Sequence, residues 1–271
     1  MGSLVPGGDA VGHTVAVSIV SPVVDRLRAA GCVAADEEAN VLDTAAPDDT
    51  TLEGWIRRRE QGEPLAWITG TTQFCGDTLF VDRGVYVPRH QSEALAQRAA
   101  RLLPRNGGRA VDLCTGAGAI AAHLKREVPG AVVVGLDVDE RAVLCARRNG
   151  VVALIADVGE PLRPAAFDVV TAVAPYVPTG KLGLLPGDVQ RYEPMAALDG
   201  GDDGLDLVRR VVITAARLLR PGGWLVIELG GEQNKALAST LAASGFPRVT
   251  PWFDAEGELR GLAAQATGLR W

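Results

Sequence analysis

The chain has 271 residues, enough for one large α/β domain and a small second one. Hydrophobic residues make up 47% and charged residues 22%, the balance of an ordinary soluble globular protein. A formal charge of −6 argues against a nucleic-acid surface, since phosphate binding needs a basic face, and no direct nucleic-acid partner is expected. Cys32, Cys75, Cys114 and Cys145 show no CxxC spacing, and His13, His90 and His123 are scattered. No metal is expected, and reduced thiols in the cytoplasm are the better reading. The apolar run "VAVSIVSPVV" is short and broken by Ser and Pro, which fits neither a secretion signal nor a membrane span.

In chain order, "MGSLVPGG" is set aside as a tail. Residues 15–62 look helical. "SPVVDRLRAAG" starts with Ser21 as an N-cap and Pro22 at the first helical position, and "DDTTLEGWIRRREQG" offers a second capped helix stopped at Gly62. "PLAWITGTTQFCGDTLFVDRGVYVPR" reads as a β-hairpin and "HQSEALAQRAARLLPRNGG" as an amphipathic helix. The basic clusters "RLRAA", "IRRRE" and "CARRN" read first as solvated helix faces.

From Arg109 the pattern repeats. "RAVDLC", "AVVVGLD", "VVALIAD", "FDVVTAV" and "GGWLVIEL" are buried strands alternating with helices, among them "AIAAHLKREV", "DERAVLCARRNG", "LDLVRRVVITAARLL" and "EQNKALASTLAASG". "RVTPWFD" and "LRGLAAQAT" form a closing hairpin. This alternation means an α/β fold, a doubly wound, mostly parallel sheet covered on both faces, with ligands at the carboxyl ends of its strands. The expected domains are 1–66 (helical), 67–90 (a linking β-hairpin) and 91–271 (the α/β domain).

"VDLCTGAGAI" follows the first of these strands and opens a helix. Cys114, Thr115, Gly116 and Gly118 form its loop, in which the glycines permit a tight turn and close backbone approach. Asp137 closes the next strand, where an acid can hold ribose hydroxyls, and Asp157 closes the third, where it can accept from an adenine amino group. Asp112 precedes the glycines. A carboxylate there would repel a pyrophosphate but suits the cationic sulfonium end of S-adenosylmethionine; the plain alternative is that it hydrogen-bonds the loop backbone.

At this point the chain resembles the PrmC/HemK family of protein-(glutamine-N5) methyltransferases, which modify peptide-chain release factors. The matching pieces run from "GEPLAWITG" through Phe74, Gly76, "VPR" (Val87 to Arg89), Glu93, "DLCTGAGAI", "PYVP", "YEP" (Tyr192 to Pro194), "ALDGGDDGLD" and "PGGWLVIELG" to Gln233 and Arg260. The resemblance implies a class I, Rossmann-like methyltransferase with a seven-stranded sheet, one strand reversed. It also implies S-adenosyl-L-methionine as cofactor and an N-terminal helical domain that helps hold the protein substrate. Phe74, Arg89, His90, Tyr192 and Glu193 become substrate-side candidates. His90 is a general base or a surface residue, and Tyr192 and Glu193 either cover the substrate channel or tie their loop to the core. The family loop has Gly at Cys114, and its "PRPETE" is "PRHQSE" here.

The decisive departure is the family's Asn-Pro-Pro-Tyr, which is Val173, Ala174, Pro175 and Tyr176 here. An amide nitrogen is a poor nucleophile. The Asn side chain and a backbone carbonyl accept its two N–H groups in the family and aim its lone pair, and such alignment reaches effective molarities of about 10⁵ to 10⁸ M. The Ala174 carbonyl still serves, and Pro175 and Tyr176 keep the stiff wall. Val173 accepts nothing, which leaves one N–H unpaired at about 1–3 kcal/mol, or roughly ten- to a hundredfold in rate. The expected activity is therefore S-adenosylmethionine-dependent methyl transfer to a release-factor Gly-Gly-Gln loop or, with the corner altered, to a small-molecule acceptor. A cofactor-binding protein without turnover is the alternative from another class.

Overall fold

A computed structural model describes residues 20–267. The tail "MGSLVPGG", His13 and the first part of the apolar run lie outside them. The chain forms two compact units, Met1–Gln61 and Gly62–Trp271.

The first unit holds α1 (Val20–Ala29), α2 (Ala35–Ala45) and α3 (Asp49–Glu60). Helix α1 already includes Val20, so Ser21 lies within its first turn and does not precede it as a cap. The first turn tolerates Pro22, because a missing N–H there leaves no intrahelical bond unmade. Gly31, at φ +89°, lets the chain leave α1 while Cys32 N–H returns to the Leu27 carbonyl. Asp48 caps α3 by accepting from Thr51 N–H at 2.7 Å. Leu27, Ala39, Leu42 and Ile56 are buried. Arg28 and Arg57 lie on a solvated face as expected, while two other arginines are drawn into ion pairs. Arg26 pairs with Glu53 and Glu60 at 2.7 and 2.8 Å, and Arg59, buried, pairs with Glu38.

The second unit opens with α4 (Leu65–Thr69), a helix where a strand was expected. An apolar run this short has no decisive periodicity. Burial of Ala66, Trp67 and Ile68, with the Trp67 indole N–H donating to the Val85 carbonyl at 2.9 Å, decides for the helix. The hairpin is the shorter pair β1 (Thr71–Phe74) and β2 (Asp77–Phe80), turned by Cys75 and Gly76 at φ +50° and +81°. A 3₁₀ turn over His90–Ser92 leads into α5 (Glu93–Leu102).

Then follow β3 (Arg109–Leu113), α6 (Ala119–Glu127), β4 (Val132–Asp137), α7 (Glu140–Arg148), β5 (Val152–Ile155) and β6 (Phe167–Ala172). Next come α8 (Gly187–Tyr192), α9 (Asp206–Leu218), β7 (Leu219–Glu228), α10 (Gln233–Ala236), α11 (Ala238–Ala243), β8 (Arg248–Phe253) and β9 (Leu259–Gln265). "EQNKALASTLAASG", read as one helix, is two, turning at the buried Leu237.

The seven strands order as β5-β4-β3-β6-β7-β9-β8, parallel except for β9, which runs against both neighbours. The order reverses between β3 and β6, and register pairs Leu113 with Ala172. The two loops that leave these strands therefore start side by side, at the switch point where such sheets bind ligands. Strand β6 is buried along its whole length, but β5, also expected to be buried, is an edge strand with Val152, Leu154 and Ile155 exposed. Arg147 donates twice to the Ala153 carbonyl, at 3.0 and 2.8 Å, and so blunts that edge.

Candidate functional site

The loop after β3 is built by left-handed residues. Cys114, Gly116 and Gly118 have φ of +57°, +54° and +82°. A Cβ at Gly118 would lie 2.9 Å from that of Ala146 on α7, so only glycine lets loop and helix meet. Cys114 adopts the same backbone with a side chain, at a strain of about 1–2 kcal/mol. Asn149 ties this loop to the hairpin, donating to the Ala117 carbonyl at 2.8 Å and accepting from Phe80 N–H at 2.8 Å. Asp137 accepts from the N–H groups of Gly116 (2.8 Å) and Asp139 (3.0 Å).

Asp112 is buried and accepts from the hydroxyls of Thr115 and Thr171, both at 2.7 Å. Loss of water pushes its carboxyl up to about 6, against the relief that the two hydroxyls supply. Asp157 sits at the cleft wall and pairs with Arg210 at 2.7 Å. Beside it Val158 has φ +45°, an uncommon backbone for a β-branched residue, and no local motif signals it.

These groups line a cleft with about 770 Å³ of empty space, walled by Gly116, Asp137, Asp157, Val158, Pro175 and Leu207 among others. A narrower cavity adjoins it, lined by Phe74, Pro88, Arg89, Ser92, Asp112 and Ile120 among others.

The corner after β6 lies between the two. Val173 lines both and packs against the apolar cluster that contains Phe74, while Ala174 is buried. The Ala174 carbonyl takes part in none of the loop backbone hydrogen bonds of the described residues. Tyr176 is held by groups far away in sequence. Its hydroxyl donates to Glu228 at 2.9 Å and accepts from the Gln91 amide at 2.9 Å, and its carbonyl accepts from Gln233 at 2.8 Å. Glu228, buried at the end of β7, also accepts from Gln91 at 2.9 Å and from the Ser92 hydroxyl at 2.6 Å. Arg260 on β9 donates to the Gln91 side-chain oxygen Oε1 at 3.1 Å. Burial, then the Glu228 charge, pushes the Tyr176 phenol far above its usual range. Sequence reading missed Glu228. The available signal was an acid at a strand's carboxyl end, the same signal that marked Asp137.

The substrate-side candidates divide. Phe74 is buried against the narrower cavity, and Arg89 lines it while pairing with the buried Glu193. His90 is exposed, bonds to Glu93 at 3.1 Å and lines neither cavity, which places it with the surface reading. Tyr192 packs edge-on against Trp67, with ring centres 6.4 Å apart, within an apolar cluster. That is the loop-to-core arrangement.

Comparison with known proteins gives a consistent picture. The family model "Methyltransferase small domain" matches residues 80–176. The release factor glutamine methyltransferase of Geobacter sulfurreducens is 39% identical over 199 residues, covering 71% of this chain and 70% of that protein. Its counterpart in Salmonella typhimurium is 34% identical over 219 residues, covering 78% and 79%. Among solved structures, the hMettl16 catalytic domain in complex with the MAT2A 3′UTR hairpin 6 aligns with a TM-score of 0.53 at 16% identity, covering 79% of this chain and 80% of that one. The T. thermophilus 16S rRNA N2 G1207 methyltransferase, solved with AdoMet and guanosine, aligns at 0.51 and 19%, covering 74% and 45%. At these identities the structural likeness speaks for the class I methyltransferase fold.

Proposed function

The chain belongs to the release factor glutamine methyltransferase family, and from that premise we propose that it methylates the side-chain amide nitrogen of the glutamine in the Gly-Gly-Gln loop of a peptide-chain release factor. It is an S-adenosylmethionine-dependent methyltransferase.

The residues present fit that cofactor. The cleft offers the Asp137 carboxylate for ribose hydroxyls and Asp157 for an adenine amino group, and the glycine loop leaves room for close approach. Asp112 is a buried carboxylate that the Thr115 and Thr171 hydroxyls compensate in part, and a cationic ligand end would stabilise its charged form. Bound S-adenosylmethionine supplies a methyl group on an electron-poor sulfonium.

The protein's task is to present the nitrogen. The Ala174 carbonyl accepts one amide N–H, and the stiff Pro175–Tyr176 segment gives the planar amide a wall. The Tyr176 ring is fixed in turn by Glu228 and Gln91. The aligned nitrogen lone pair would face that methyl group, and the proton the nitrogen gives up would pass to water. Positioning of this kind accounts for most of the rate.

The observation that carries this reading is the juxtaposition, at one switch point, of the Asp112–Gly118 loop and a clamped aromatic corner. The cytoplasm, where release factors act, is the place we assign to it. No helix among the described residues is long and apolar enough to cross a membrane. The test is S-adenosylhomocysteine release with purified release factor against no-acceptor controls. Turnover that depends on the factor and is abolished by replacing the loop glutamine supports the reading. Cofactor binding with no factor-dependent turnover overturns it.

A further inference from the structure

Val173 removes a hydrogen-bond acceptor from the place where methyl donor and amide must meet. What else in the structure faces that place is therefore decisive. Four described residues line both the cleft and the narrower cavity, and so form the neck between them: Tyr86, Cys114, Gly116 and Val173. Val173 and Gly116 offer no polar side-chain atom there. Cys114 offers a thiol, at best a weak acceptor. Tyr86 alone brings an oxygen.

Resting on the acceptor proposed above, we propose that the Tyr86 hydroxyl accepts the amide N–H that Val173 leaves unpaired, which makes Tyr86 a catalytic residue of this chain.

The surroundings of Tyr86 suit the task. Arg89 lies over its ring, the guanidinium carbon 4.9 Å from the ring centre. Arg89 is itself anchored by the buried Glu193, so the ring is held from behind. Tyr86 lines both cavities beside Val173, and Glu228 and Tyr176 lie within its electrostatic reach. A phenol has two lone-pair sites and one hydrogen, while a guanidinium can only donate. One lone pair is enough for a substrate N–H. Burial raises the phenol above its usual range, so the hydroxyl stays neutral at working pH. The Ala174 carbonyl and the Tyr86 oxygen then accept the two N–H groups of one amide, the pairing that a backbone carbonyl and a side-chain amide otherwise provide.

The experiment is a double-mutant cycle on release-factor methylation, with Tyr86→Phe, Val173→Asn and the double variant, and cofactor affinity measured alongside as a check on folding. The expected result is a ten- to hundredfold loss of kcat in Tyr86→Phe with cofactor Kd unchanged. Val173→Asn alone should gain less than threefold. In the Val173→Asn background the Tyr86→Phe loss should shrink to a few-fold, because the new amide takes over the N–H. Equal losses in both backgrounds would overturn the proposal. A tenfold or larger gain from Val173→Asn alone would do the same without relying on Tyr86→Phe, since the hydrogen bond would then have been missing all along. Failure of both the natural chain and Val173→Asn to methylate the factor, with cofactor bound, would remove the proposed acceptor together with this inference. Activity in both with no effect of Tyr86→Phe would remove this inference alone.

Discussion

The loops that leave β3 and β6 start at paired residues, Leu113 and Ala172, yet they are built differently. The loop we assign to the cofactor is held at its main-chain atoms by two side chains of neighbouring elements. Asp137 accepts its N–H, Asn149 holds its carbonyl, and glycine conformations set its path. The corner after β6 is secured by side chains of β7 and the 3₁₀ turn before α5 that meet Tyr176 and Glu228, with Arg260 of β9 bracing Gln91. A site built on main chain tolerates substitution as long as the backbone path survives, and Cys114 at φ +57° is such a case. A site built on side chains loses a contact when one of them changes, as at Val173. The difference teaches that the loop we assign to the cofactor depends on a few nearby side chains, and the corner on several distant ones.

The largest expected effect attacks the cofactor side. Asp137→Ala removes a carboxylate that organises two backbone N–H groups, and cofactor Kd by calorimetry should rise about a hundredfold, from charged hydrogen bonds of roughly 1.5–3 kcal/mol each. If the loop held its shape regardless, the contrast drawn above would collapse. On the acceptor side, Glu228→Gln should slow kcat about tenfold while cofactor Kd moves less than twofold, because the clamp on Tyr176 loosens while the hydrogen bonds of Asp137 stay intact. An equal change in both constants would mean that the two loops are not separable.

Asp112 offers a pH test. Its carboxyl titrates at about 6, raised from an ordinary 3.8 by burial, with Asp137 adding a like charge nearby. Below that value the neutral acid no longer attracts a cation, so cofactor affinity should weaken several-fold between pH 7.5 and 5.5. The protein without cofactor has the opposite sign. A raised folded value means that the folded state holds the proton more tightly than the unfolded chain. This contribution is therefore fully present below about 4 and is lost as pH rises through about 6. Thermal melts across that window with and without cofactor should diverge, and Asp112→Asn should remove the divergence. The smallest effect is Cys114→Gly. It relieves left-handed strain of about 1–2 kcal/mol but gives up a packed side chain, for a net change below about 1 kcal/mol in the melting profile.

Much of this molecule is written locally. Alternating apolar runs of strand and helix length predict the doubly wound sheet, and glycines followed by an acid at each strand end predict the cleft. Both follow from periodicity and from the freedom of a residue without Cβ. Even the altered corner is legible, because Val173 stands in a recognisable run. Other features belong to tertiary structure alone. Gln91 meets Glu228 across 137 positions of chain, and Tyr176 meets Glu228 across 52. Tyr86 comes to share a neck with Val173 only because the segment after the hairpin is laid over the switch point. Spacing along a sequence encodes which face of one element is buried. It does not encode which side chains of distant elements meet, since packing and the placement of buried charge decide that, and the acceptor side of this site is made of such meetings.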